Sequence, residues 1–138
     1  MADEATLNSI KEMFGYTDAQ LEKLMSNPRN LGLVEHAADF LKYRLVAEVV
    51  SAYGCGAGHK VGDKIIYKNG ALLCNESSKQ ICFGLLSAIS PCVHVVMEKV
   101  FSGEDPTKIA FNRHHCPDVG VDHGGFGEVI VEVKVEKV

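Results

Sequence analysis

Apolar residues recur at helical spacing at the start of this chain and at strand spacing at its end. Leu7, Ile10, Met13 and Phe14 fall on one face of a 3.6-residue repeat across residues 4–14, and Gly15 closes the run. Thr17-Asp18-Ala19-Gln20 has the form of a capping box, in which the Thr17 hydroxyl and the Gln20 side chain each satisfy an end N–H group. Leu21, Leu24 and Met25 supply the buried stripe behind it. Asn27-Pro28 ends that helix, because a proline ring disfavours helical backbone in the residue before it. A third helix is expected over about 30–41, with Leu31, Val34, Ala38 and Leu41 on one face. Residues 1–42 therefore read as a helical appendage suited to packing or to homodimer formation.

The period changes at Tyr43. Residues 43–50 are rich in β-branched and aromatic side chains and predict a strand. After the glycine-rich loop 54–59 a second strand is expected near 63–68, an Asn69-Gly70 hairpin turn, and a short return through 71–73. Ile81 to Phe101 is helical, with Pro91 marking a kink or a fresh start, so one long kinked helix is expected at about 79–102. A strand near 109–112 precedes His114-His115-Cys116-Pro117-Asp118. At the end Val129, Val131, Val133 and Val135 alternate with more polar neighbours, the signature of a strand with one wet face. The sum is one α+β domain over 1–138, a two-layer sandwich on a mostly antiparallel sheet, with 43–138 as its core.

Composition narrows the function classes. In 138 residues, 46% are hydrophobic and 23% charged, which excludes a wholly disordered chain. The net charge of −4, with basic residues scattered, argues against nucleic acid as a partner. No uninterrupted apolar run reaches the roughly 18 residues of a bilayer span, and the opening MADEATLNSI does not resemble a secretory leader. A cytoplasmic setting without membrane contact is expected. The five cysteines then read as reduced thiols, with Cys82 and Cys92 as core filler within apolar helical patterns.

Three segments carry candidate chemistry. In Cys55-Gly56-Ala57-Gly58-His59 a thiol and an imidazole four residues apart can converge on one metal ion or form a Cys–His pair. A tight turn with the cysteine packed inward is the structural alternative. The glycines match neither a dinucleotide fingerprint nor a Walker loop. In His114-His115-Cys116-Pro117-Asp118, extended backbone puts His114 and Cys116 on one side and leaves Asp118 to orient an imidazole. In Asp122-His123-Gly124-Gly125-Phe126-Gly127 successive glycines can aim N–H groups at an oxyanion, though no G-x-S-x-G elbow accompanies them.

From Tyr43 onward the chain resembles a family of small bacterial and archaeal proteins without an assigned activity. The resemblance is carried by Cys55-x3-His59-Lys60-Val61-Gly62-Asp63, by Cys74 and Cys82, by Ala88-Ile89-Ser90-Pro91, and by Cys116-Pro117-Asp118 ahead of a valine-rich strand. It covers about two-thirds of the chain, leaving out the first 40 residues, the His114-His115 pair and the 120–127 stretch. It implies a compact α+β domain and a grouping of Cys55, Cys82 and Cys116.

The leading expectation is a Zn or Fe site held by Cys55, His59, His114 and Cys116, with Cys82 or His123 as further ligands. Lewis-acid chemistry on a small polar metabolite would follow, with Asp118 and His123 moving protons and Lys60, Gly124 and Gly125 contacting substrate. A metal-free cysteine nucleophile, and a non-catalytic dimeric module whose cysteines are core, are the alternatives.

Overall fold

The computed structural model describes residues 2–138. Three helices come first: α1 (Glu4–Phe14), α2 (Asp18–Met25) and α3 (Leu31–Phe40). The capping box at Thr17 forms in full, and Gly15 ends α1 in the left-handed conformation. Ile10, Val34 and Ala37 make a small core of their own, sealed by Leu7, Leu21, Leu24 and Met25.

Five strands then build one sheet: β1 (Tyr43–Tyr53), β2 (Lys64–Lys68), β3 (Ala71–Leu72), β4 (Arg113–His115) and β5 (Glu128–Lys137). Their order is β3-β2-β1-β5-β4 and every pairing is antiparallel. Helix α4 (Phe83–Phe101) covers one face, so the fold is α+β with a long helix on an antiparallel sheet. Leu45, Ala47, Val49 and Ile65 meet Val129, Val131 and Val133 beneath Leu85, Ile89, Cys92 and Val96. The alternation of β5 survives as expected, with its valines buried and Glu132 and Lys134 outside.

Three details depart from the sequence expectation, each for a local reason. A β-bulge between Val49 and Ser51 changes the parity of β1, so that Ala52 opposes Val129 at the core and the strand runs on to Tyr53. Helix α4 starts at Phe83 because Cys82, at φ −67° and ψ 129°, is still extended. As expected, one long helix carries Pro91 within it, where Ser90 and Pro91 are both exposed. The strand expected near 109–112 forms instead at Arg113–His115, where residues pair with Glu132, Val131 and Ile130 of β5.

Helix α4 is long and apolar enough to cross a bilayer by length and composition, with a mean hydropathy of 1.3. Here Leu85, Ile89, Cys92, Val96 and Val100 are buried against the sheet and α3.

Candidate functional site

Three loops meet at the end of the sheet where α4 begins. The β1–β2 loop brings Cys55, Gly56, Ala57 and His59; the start of α4 brings Cys82, Gly84 and Leu85; the segment after β4 brings Cys116, Pro117 and Asp118. With Gly127, Glu128 and Val129 of β5 they enclose a cavity of about 320 Å³, the size of a small-metabolite site. The thiols of residues 55 and 116 therefore belong to one cavity and not to opposite sides of the sheet. Cys82 joins them.

The imidazole of His59 fastens two of these loops. Its side chain is 1% exposed, and Nε2 accepts the backbone N–H of Cys82 at 3.0 Å. That donor fixes the tautomer: the proton sits on Nδ1, which faces the Asp63 carboxylate at 3.3 Å. Asp63 also accepts the N–H of Lys60 at 3.2 Å. The four-residue spacings Cys55–His59–Asp63 thus have a structural meaning, because Asp63 orients His59 and His59 holds the N-cap residue of α4. Cys82 provides no side-chain cap. The first-turn N–H groups of α4 have no intrahelical acceptor, and Gly84 and Leu85 of that turn line the cavity.

Cys116 is anchored on β5. Its N–H donates to the Val129 carbonyl at 2.9 Å, and its Sγ accepts the Val129 N–H at 3.3 Å. Asp118 accepts N–H bonds from Gly120 (3.1 Å), Phe126 (2.9 Å) and Gly127 (3.1 Å). Those bonds, Gly120 first, hold its carboxyl below the usual carboxylate range. Asp118 closes the glycine-rich loop with backbone hydrogen bonds, and the charge of nearby His115 adds a smaller lowering effect. Gly54 of the β1–β2 loop and Gly127 at the end of the glycine-rich loop pack backbone to backbone, so a methyl group on either would overlap main-chain atoms at the other.

The expected metal ligands divide. Cys55, His59 and Cys116 line the cavity, but both ring nitrogens of His59 are already engaged. His114 does share a face with Cys116, as extended backbone requires, yet it lies two residues farther along β4 and reaches a different turn of α4. Its Nε2 sits 2.8 Å from the Cys92 Sγ and 3.1 Å from the Phe111 carbonyl, outside the cavity. Burial pushes the Cys92 thiol up from its ordinary value. Among the described residues no group of three or more His, Cys, Asp or Glu side chains is placed to hold a metal ion. The donor set does not fit Zn or Fe as expected.

The remaining expected residues lie elsewhere. His123 is exposed in a short 3₁₀ turn, Val121–His123, and does not line the cavity. Lys60 borders a separate depression with Gly58, Asp63, Ser78, Lys79 and Gln80. Gly124 and Gly125 donate to Val121 and Gly120 carbonyls, while Phe126 and Gly127 donate to Asp118, so the glycine loop has no N–H left to offer an oxyanion from these positions.

Two features were not anticipated. The start of α4 at the cavity is one; its sequence signal is a cysteine where Ser, Thr, Asp or Asn normally caps a helix. The other is His115, whose Nδ1 meets the Cys116 carbonyl and whose Nε2 lies 3.0 Å from Glu128. Acceptors on both nitrogens call for the doubly protonated ring, and Glu128 above all raises its pKa.

No protein-family model matches the chain, and neither does any curated protein or solved structure compared with it.

Proposed function

We propose that the protein binds a small molecule bearing an electrophilic carbon next to an oxygen, and that a thiol in the cavity reacts with it reversibly. The carrying observation is that Cys55, Cys82 and Cys116, from three separate segments, line one cavity at the start of a helix. In the step envisaged, the sulfur of Cys55 or Cys82 forms a bond to the carbonyl carbon. The C=O π pair moves onto oxygen and the thiol proton passes to solvent. First-turn N–H groups of Phe83 and Gly84 are the donors for that oxygen, a role the 123–127 loop cannot fill. A cytoplasmic setting is part of the reading, supported by five cysteines that form no disulfide. The motif resemblance groups the same three cysteines, and membership of that family is part of the reading.

The test is labelling with N-ethylmaleimide, mapped residue by residue, with exposed Cys74 as internal reference. Cys55 or Cys82 should react at least about tenfold faster than Cys74, because the developing enolate oxygen meets backbone donors only in the cavity. Rates at both no faster than at Cys74 would overturn the reading. Elemental analysis of the same sample distinguishes it from a metal protein.

Homodimer formation through the N-terminal helices is a separate proposal. Met13, Phe14, Leu31 and Leu41 are exposed there, and sedimentation velocity reads the outcome directly.

A further inference from the structure

We propose that Phe83 and Phe126 form an apolar lip to this cavity and select a ligand that carries a hydrocarbon tail behind its reactive group. The inference rests on the cavity being the ligand site. Both rings stand in solvent, 86% and 83% exposed. Phe83 sits between the wall residues Cys82 and Gly84, and Phe126 directly precedes the wall residue Gly127.

Their backbones are held firmly. Phe83 is the first residue of a 19-residue helix. Phe126 donates its N–H to Asp118 at 2.9 Å, and its carbonyl packs against Gly54, next to Cys55. Neither ring takes part in the aromatic pairs found among the described residues, Phe14–Tyr16 and Phe40–Phe101.

The chemistry of the wall points the same way. Leu85, Pro117 and Val129 continue the apolar surface inward. The two carboxylates at the wall are already occupied, Asp118 by three N–H groups and Glu128 by His115. A ligand tail crossing the mouth therefore meets hydrocarbon and not free charge. Phenyl surface that is wet in the empty protein leaves water when the tail lies over it, which favours tailed ligands over short ones.

Phe111 supplies a control. It is 87% exposed, as bare as the other two, but its carbonyl faces His114, away from the cavity wall. General surface hydrophobicity would give all three rings the same effect.

The experiment compares N-methylmaleimide with N-butylmaleimide at Cys55 and Cys82 of the full chain, each rate divided by that of glutathione. Covered methylenes contribute up to roughly fourfold each, so partial cover predicts a butyl-to-methyl ratio of at least about ten. At Cys74 the ratio should stay near one. The Phe83→Ser/Phe126→Ser double variant should bring the cavity ratio down to that of Cys74, and Phe111→Ser should leave it unchanged. These exposed substitutions leave the core intact, which circular dichroism verifies. A wild-type cavity ratio equal to that of Cys74, or one surviving in the double variant, overturns the apolar lip while fast cavity labelling still supports the ligand site. If neither cavity thiol outruns Cys74 with either reagent, the ligand site and the lip both fall.

Discussion

Replacing His59 with leucine tests whether this residue is a strut or a ligand. The substitution keeps roughly the volume of the ring but removes the bond to the Cys82 N–H at 3.0 Å and the one to Asp63 at 3.3 Å. A buried polar group that loses its partner costs about 1–3 kcal/mol. Both survivors are partly compensated: Cys82 is half-buried and open to water, and Asp63 keeps the Lys60 N–H at 3.2 Å. The low end applies to each, giving about 2–3 kcal/mol in total. For a domain of this length that is a fall in Tm of about 10 °C by calorimetry. His59→Gln, whose amide oxygen can still accept from Cys82, should lose about half as much. Maleimide labelling at Cys82 should slow in the leucine variant, because the start of α4 is no longer pinned beside Cys55. A leucine variant within about 0.5 kcal/mol of wild type, with Cys82 labelling unchanged, would refute the strut.

Further outcomes follow from the same geometry. Gly127→Ala forces a methyl group onto the Tyr53 and Gly54 backbone and should cost about 3 kcal/mol in urea unfolding, whereas Gly56→Ala, with open space around it, should be nearly neutral. The pKa of His115 is raised in the folded state, so its contribution is complete below the unfolded value of about 6.5 and disappears as pH rises through the folded value. Wild type should thus lose stability relative to His115→Gln on going from pH 6 to pH 9 in thermal scans; parallel curves would contradict the assigned bonds. The pKa of Asp118 is lowered, so its contribution is present above the unfolded value of about 3.9 and lost as pH falls through the folded value. Asp118→Asn should flatten the acid limb of the same scan.

Much of the fold was legible because its signals are local. The capping box at Thr17, the Asn69-Gly70 turn with φ of 54° and 76°, and the valine alternation of β5 each depend on neighbours only a few residues away. The bulge after Val49 was not legible, since it exists only when β5 lies alongside β1. The site was half legible for the same reason. Cys55 and Cys116 stand out beside histidines in loops, but the helical pattern around Cys82 concealed that it marks the first turn's edge. The histidines misled most. Their ring nitrogens find partners across the fold, His59 on Cys82 and His114 on Cys92, and no spacing rule encodes such contacts. Likewise Gly125 and Gly127 look like oxyanion donors in the sequence, while the folded loop turns their N–H groups onto Gly120 and Asp118.

The position of β5 has a kinetic consequence. It lies between β1 and β4, so the final segment of the described chain becomes an interior strand of the sheet. During synthesis a ribosome would expose the edge of β1 for several seconds before its long partner emerges. Residues 54–127, just over half of the sequence, separate these two strands, a loop-closure burden expected to make folding slow. Trimming the last ten residues would then leave a collapsed, aggregation-prone intermediate and not a smaller working protein.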